Sequence, residues 1–328
     1  MLDVARRAGV SRSLVSTVFR GVPGASPETR ARVLAAASDL GYRPDERARK
    51  LRSFTSTDIG ITLTAVNPFH VQVTEVLHEL DVLQGYELAI SWTSEARPME
   101  NAFEALLEQR CAALLLMGPT DSSAQIEALR QRAPEVPVVV VDRYLTMPDI
   151  DTLRVDDAAG LRLAIDHLVE LGHSDIAYID GGSFVSAEPR REAYHAAMAH
   201  HGLPTRMVCG GGFREDGVRS AALLMDEGPL PTAIMSYNDQ VAFGAMAALT
   251  RRGVSIPEDV SIVGFDDVEE AALPDISLTT VQQRAECLAA AAAEVLLARI
   301  AGADAAGLRL LPPGPLVVRG SSGPPRQA

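Results

Sequence analysis

The stretch LDVARRAGVSRSLVSTVFRG, residues 2–21, decides how the N-terminal end of this 328-residue chain folds. Leu2, Val4, Ala5 and Ala8 recur at helical spacing, and Gly9 follows where a left-handed residue ends a helix. Two residues on, Ser11 is placed to cap a second helix whose buried stripe is Leu14, Val15 and Val18. The outward positions of that helix carry Arg12, Ser13, Ser16, Thr17 and Arg20 rather than the Glu and Lys of a solvated face. Two short helices joined by a tight glycine turn predict a helix-turn-helix, whose second helix lies in the major groove of DNA with its N-terminal residues at base edges. The competing reading is an ordinary amphipathic helix.

Working outward, SPETRARVLAAASDLG (residues 26–41) predicts a third helix. Ser26 is the cap, Pro27 the first helical residue, Val33, Ala37 and Leu40 the inward face, and Gly41 the stop. In YRPDERARKLRS (residues 42–53), Pro44 breaks the chain and Asp45 can cap a short helix bearing Arg47, Arg49, Lys50 and Arg52 around Ala48 and Leu51. So short a helix, with so little apolar surface, is expected to form only against DNA and a twin copy of itself.

Charge separates this head from the rest. Residues 1–52 hold eleven Arg or Lys against five Asp or Glu, whereas the remainder holds nineteen against thirty-eight. A basic head on an acidic body suits attachment to a polyanion through the head alone. The three cysteines, Cys111, Cys209 and Cys287, are scattered in apolar contexts, which argues against a disulfide framework or a zinc site and predicts core residues in a reducing compartment. No apolar run is long enough to span a membrane and the N-terminus lacks a signal-peptide pattern, so a cytoplasmic protein with no membrane partner is expected.

The order DVAxxAGVSxxxVSxV, SPETRxRVLxAxxxLGYRP and AxxL resembles the lactose/galactose repressor family of bacterial transcription regulators. The resemblance implies a homodimer that places two recognition helices in successive major grooves of a near-palindromic operator in double-stranded DNA, with hinge helices in the minor groove. By position, Arg12, Ser13 and Thr17 then match base-reading residues, and Ser11 and Ser16 match phosphate contacts. Arg12 suits guanine, since its planar fork can bond O6 and N7 together. Ala48 and Leu51 match the minor-groove hinge, where the family wedges its leucine into a base step. Leu14 and Arg20 depart from the usual threonine and asparagine, so a different operator is expected. The family also has a capping threonine before the first helix, so the natural start is expected upstream of Met1.

Beyond residue 57, apolar runs alternate with helix-length segments: DIGITLTAV, ELAISW, CAALLLMG, VPVVVVD, IAYID, TAIMSY and VSIVGFD. This predicts an α/β body of two doubly wound parallel-sheet lobes, periplasmic-binding-protein-like, behind the all-α head. The expected domains are residues 1–43 (DNA-binding head), 44–57 (hinge), 58–156 with 284–311 (first lobe) and 157–283 with 312–328 (second lobe). The tail after Val318, RGSSGPPRQA, has no heptads and is expected to be disordered, which favours a dimer over a tetramer.

Ligands of such sheets bind at the C-terminal strand ends. There the sequence offers Asn67, Phe69, His70, Arg190, Phe213, Asn238 and Asp266, with Trp92 as a further aromatic. An Arg, an Asn and an Asp among aromatic faces are what a sugar needs: paired hydrogen bonds to neighbouring hydroxyls and a plane for the C–H face. SAxxRxxxY, NDxxAxGAMxAL and PEDVSIVGFDD extend the resemblance across the body and imply that Arg190, Phe213, Asn238 and Asp266 line an effector cleft. Structural readings stand beside these. Asp239 and Asp267 cap helices or tie loops, Phe213 could pack an interface, and a lone His or Trp is commonly a packing residue.

No dinucleotide or phosphate loop follows the first strand, and no nucleophile elbow occurs, so neither an enzyme nor a cofactor is expected. His78, His167, His173, His195, His200 and His201 lack metal-ligand spacing. A soluble sugar-binding protein would share the body but not the basic head. The remaining alternative is a regulator that uses a purine-type corepressor in the same cleft.

Overall fold

The computed structural model describes residues 1–19, 23–42, 56–64, 67–94, 96–119, 123–143, 145, 147, 149–184 and 186–326, in two compact units, Met1–Ser56 and Thr57–Ala328. Arg20, Ala48 and Leu51 lie outside the described residues.

In the smaller unit, α1 (Leu2–Ala8), α2 (Arg12–Phe19) and α3 (Pro27–Asp39) surround a core of small apolar residues: Val4, Ala5, Ala8, Val15, Val18, Val33, Ala36 and Ala37. Gly9 ends α1 at φ 65°, a left-handed conformation that side chains resist. Ser11 Oγ accepts the Leu14 N–H at 3.2 Å and Ser26 Oγ accepts the Thr29 N–H at 3.2 Å, so both helices start on serine caps. Arg30 ties α3 to α2 by donating to the Val18 carbonyl at 3.2 Å. Three inward assignments need correction. Leu2 and Leu40 are 63% and 46% exposed, and Leu14 is only half-buried, because they fall at the ends or edge of a narrow three-helix contact in which Ala36 takes the inner place.

The larger unit contains two six-stranded sheets. The first joins β1 (Asp58–Thr64), β2 (Glu87–Thr93), β3 (Ala113–Met117), β4 (Val138–Val141), β5 (Ile150–Val155) and β11 (Leu308–Leu311) in the order β11-β5-β4-β3-β1-β2, every pairing parallel. Its helices are α4 (Pro68–Glu79), α5 (Met99–Glu108), α6 (Ser123–Arg132) and α11 (Ala285–Ile300), the last packed on α4 and on β3, β4 and β5. The second sheet joins β6 (Ile176–Ile179), β7 (Arg206–Val208), β8 (Ala233–Ser236), β9 (Ser261–Asp266), β10 (Thr279–Gln282) and β12 (Leu316–Val317) in the order β12-β10-β9-β8-β6-β7, parallel except for β12. Around it lie α7 (Asp157–Glu170), α8 (Ala187–His200), α9 (Arg214–Asp226) and α10 (Asp239–Arg251). The central strands are apolar on both faces because helices cover both, the reason their sequences read as unbroken Val, Ile and Leu runs.

The chain passes between the lobes at residue 156, at 283–284 and at 312–315, so each strand order reverses beside the same crevice. Two further expectations fail. Residues 319–326 are ordered: Ser321 Oγ accepts the Thr279 N–H at 2.8 Å and donates to the Ile262 carbonyl at 2.6 Å, and a ring nitrogen of His173 meets the Gly323 carbonyl at 2.9 Å. A polar, glycine-rich composition conceals backbone pairing along β9 and β10. Of the cysteines, all free, only Cys111 is buried. Cys287 is half-buried, and Cys209 is exposed just beyond the short edge strand β7.

Candidate functional site

Two places bring the predicted residues together. On α2, the buried Val15 and Val18 anchor the helix, leaving Arg12 and Ser13 exposed and Ser16 and Thr17 half-exposed on the other side. Ser11 Oγ and Ser13 Oγ lie 2.8 Å apart, and Thr17 donates to the Ser13 carbonyl at 3.1 Å, which fixes the small hydroxyl side chains while Arg12 projects from the first turn. One helical face thus offers a guanidinium and several hydroxyls, the donor set that base edges and phosphates accept.

The second place is a cleft between the two lobes, about 720 Å³ with its open mouth included. Asn67, His70, Arg190, Phe213, Asn238 and Asp266 all line it, each within or beside a strand end or helix start. Phe69 does not: it is 1% exposed in the first lobe's core, since the turn of α4 that brings His70 to the cleft sends its neighbour inward. Trp92 stands on the edge strand β2, 45% exposed, and does not line the cleft.

The second lobe's wall is a closed network. Arg190, 5% exposed, donates from Nε to Asp157 Oδ1 at 2.8 Å and from Nη1 to the Tyr237 carbonyl at 2.6 Å, with its guanidinium 4.0 Å above the Phe265 ring. Burial alone would lower the pKa of this guanidinium, but Asp157, Tyr237 and Asp266 more than reverse it, so Arg190 stays charged. Asp157 also accepts from Arg154 at 2.5 Å. Burial raises the Asp266 pKa well above the usual carboxylate range against the pull of Arg190, and Gln283 donates to Asp266 Oδ1 at 2.5 Å. Behind it Asp239, fully buried and pushed up to about 6 by desolvation, accepts from Thr280 Oγ1 at 2.6 Å and from the Val268 N–H at 3.0 Å.

Asp266 and Asp267 have φ values of 130° and 60°. Two adjacent side-chain-bearing residues with positive φ persist only where surroundings over-determine them. Here Asp239 holds one side, and Arg319 holds the other through Asp267 Oδ1 at 2.7 Å. Asn238 is partly committed as well: its Oδ1 caps α10 through the Val241 N–H at 2.9 Å and its Nδ2 donates to the Gly212 carbonyl at 3.1 Å. Phe213 meets Phe184 edge-on at 5.2 Å, an aromatic corner at the cleft wall.

The first lobe contributes less. Asn67 caps α4 by accepting the Phe69 N–H at 3.1 Å, and His70 Nε2 lies 2.7 Å from Asp142 Oδ2. Gly118 permits this, because a Cβ there would collide with the His70 ring. Among the described residues no group of His, Cys, Asp and Glu is placed to hold a metal ion.

Comparison with known proteins matches both parts of the chain. The pattern described as "Bacterial regulatory proteins, lacI family" matches residues 1–45, and that of a periplasmic binding protein-like domain matches residues 165–322. The HTH-type transcriptional regulator GalR of Escherichia coli K12 is 33% identical over 303 residues, covering 90% of this chain and 88% of GalR. The ribose operon repressor of the same organism is 34% identical over 306 residues, covering 92% of each. The chain belongs to the lacI family of bacterial regulatory proteins. The crystal structure of the Lac repressor dimer bound to operator and the anti-inducer ONPF is similar over 98% of both chains, with a TM-score of 0.85 and 30% identity. As a family member the protein is a DNA-binding transcription regulator, with a helix-turn-helix head and two periplasmic-binding-protein-like lobes, in a family of regulators rather than enzymes.

Several residues of the family member's cleft escaped the sequence reading, Asp142, Phe184, Ser186, Tyr237 and Gln283, as did Asp157, which holds Arg190 from behind the cleft wall. Tyr237 directly precedes Asn238 and could have been found from the strand end TAIMSY, whereas Asp157 follows a strand whose charged residues hid it.

Proposed function

We propose that the protein is a repressor that reads operator DNA through α2 and yields or holds it according to a small molecule, a sugar, bound between the lobes. Residues 1–43 serve as the DNA-binding head and 44–57 as the hinge. Residues 58–156 with 284–311, and 157–283 with 312–328, form the two lobes of a cytoplasmic homodimer. Arg12, Ser13 and Thr17 read bases, Ser11 and Ser16 meet phosphates, and Ala48 and Leu51 enter the minor groove.

The observation that carries the effector reading is the buried Arg190–Asp157–Asp266 network facing an aromatic corner across from His70 and Asn67. Fixed donors and acceptors beside a ring plane suit a polyhydroxylated ring. Control follows from linkage: a ligand that prefers the lobe arrangement incompatible with DNA binding weakens operator affinity, and operator weakens ligand affinity equally. A sugar with that preference is an inducer.

Fluorescence anisotropy of operator DNA, with and without a sugar that raises the melting temperature, tests the coupling. The expected change in operator affinity is about 5- to 150-fold, mirrored in sugar affinity measured with and without operator. Unchanged operator affinity at saturating sugar contradicts it.

A further inference from the structure

The uncovered face of α2 is not uniform. Residues three and four apart on a helix are neighbours, so from one flank to the other the order is Arg12, Ser16, Ser13, Thr17 and Leu14, with Val15 and Val18 closing the circle on the core. The Arg12 flank is polar. The Leu14 flank is apolar, on two observations. Leu14 is half-buried, yet it is not one of the partly buried apolar residues packed on the head's core, which among the described residues are Met1, Val10, Phe19, Ala25 and Tyr42. Thr17 gives its hydroxyl hydrogen to the Ser13 carbonyl at 3.1 Å, a bond within the helix, which leaves its Cγ2 methyl beside Gly24, where a Cβ would come within 3.3 Å of it. Leu14 also lies in the first turn, its N–H held by Ser11 Oγ at 3.2 Å, and the N-terminal end of a recognition helix is the part that meets base edges.

We infer that Leu14 is a specificity residue for DNA: with the Thr17 methyl, it packs on the C5 methyl of a thymine close to the base pair that Arg12 contacts. The inference rests on the reading of α2 as the base-reading helix and deepens it. The thymine C5 methyl is the apolar group that base pairs present in the major groove, where the other features are hydrogen-bond donors and acceptors. A leucine has nothing to offer those. Against guanine, adenine or a phosphate it would strip water from polar atoms without replacing their bonds, whereas against thymine two apolar surfaces leave water together. One methyl group buried in this way is worth about fourfold in affinity. Arg12 on the polar flank and Leu14 on the apolar flank thus specify different bases from a single turn of helix.

The test uses the full chain and the DNA it selects from a random library, with each thymine in turn replaced by deoxyuridine. That exchange removes the C5 methyl and leaves every donor and acceptor in place. By fluorescence anisotropy, the wild type should lose about fourfold in affinity at one thymine in each half-site, near the guanine at which Arg12→Ala loses its preference. Leu14→Ala should bind the thymine and uracil duplexes equally, at the affinity that the wild type has for uracil, because the contact is then missing from either partner. Circular dichroism checks that the variant is folded, and the wild-type comparison of the two duplexes stands whatever the variant does. Uracil duplexes bound as tightly as thymine ones, or a loss of the same size in the folded variant, overturns the inference and leaves α2 as the base reader. A library that yields no preferred sequence overturns both.

Discussion

The head and the cleft recognise their targets by opposite means. On α2 the side chains proposed to read bases are exposed (Arg12, Ser13) or half-exposed (Thr17) above Val15 and Val18, and the two hydroxyls bond to neighbouring turns of the same short segment. In the cleft, Arg190, Asn238 and Asp266 are 5%, 9% and 6% exposed and already engaged with the protein. A face that must slide along DNA works with side chains within reach of solvent, whereas a site that must distinguish one small molecule works with buried, fixed ones. Stability and recognition should therefore separate in the head and be inseparable in the cleft.

The largest expected break is Arg190→Ala. It leaves Asp266 buried without the guanidinium and Asp157 with Arg154 alone, and should destabilise the larger unit by about 3 to 5 kcal/mol in denaturant unfolding as well as abolish sugar binding. A stable protein that had lost only its sugar response would show the network to be less rigid than drawn.

Next comes pH. Asp239 titrates at about 6 when folded and at the ordinary aspartate value of 3.8 when free, so between those values the folded chain holds a proton that the unfolded chain has released. Its contribution to stability falls as pH rises through that window, by up to about 3 kcal/mol. Asp239→Asn cannot ionise. The stability difference between wild type and variant, from urea melts at pH 4 and pH 6.5, should shift in the variant's favour as pH rises; a constant difference would mean that Asp239 titrates normally.

Smaller still is Ser26→Ala, which removes the cap of α3. It should lower stability of the head by about 1 kcal/mol, read by hydrogen exchange of α3 amides, and leave unfolding of the larger unit unchanged. A shift in both units would contradict their division.

Much of this was legible in the sequence where local signals agreed. Gly9, Ser11 and Ser26 punctuate the head as their chemistry requires, and the apolar runs of β1, β3, β4, β6, β8 and β9 show themselves because helices bury both faces. The strands that stayed hidden are those whose sequences mix charge with apolar residues or lie at sheet margins. In β5, IDTLRV, Asp151 is buried against Arg299 at 3.3 Å, a partner supplied from elsewhere in the chain, and Arg154 against Asp157, three residues on, at 2.5 Å. β7, β10, β11 and β12 are short, from two to four residues. For the same reason Arg190 could be found from its motif and Asp157 could not: pairing between distant segments leaves no local periodicity. Phe69 failed in the reverse direction, since a helix turns adjacent residues roughly 100° apart and only one of the pair can face the cleft.

The central claim is that the exposed face of α2 reads bases. It is tested most directly by selecting bound sequences from a random DNA library with the wild type and with Arg12→Ala. The account predicts a near-palindromic motif for the wild type. It predicts that the variant loses its preference at one base pair in each half-site, with about 1 to 3 kcal/mol of operator affinity lost and thermal unfolding unchanged. An identical motif from both proteins would contradict it.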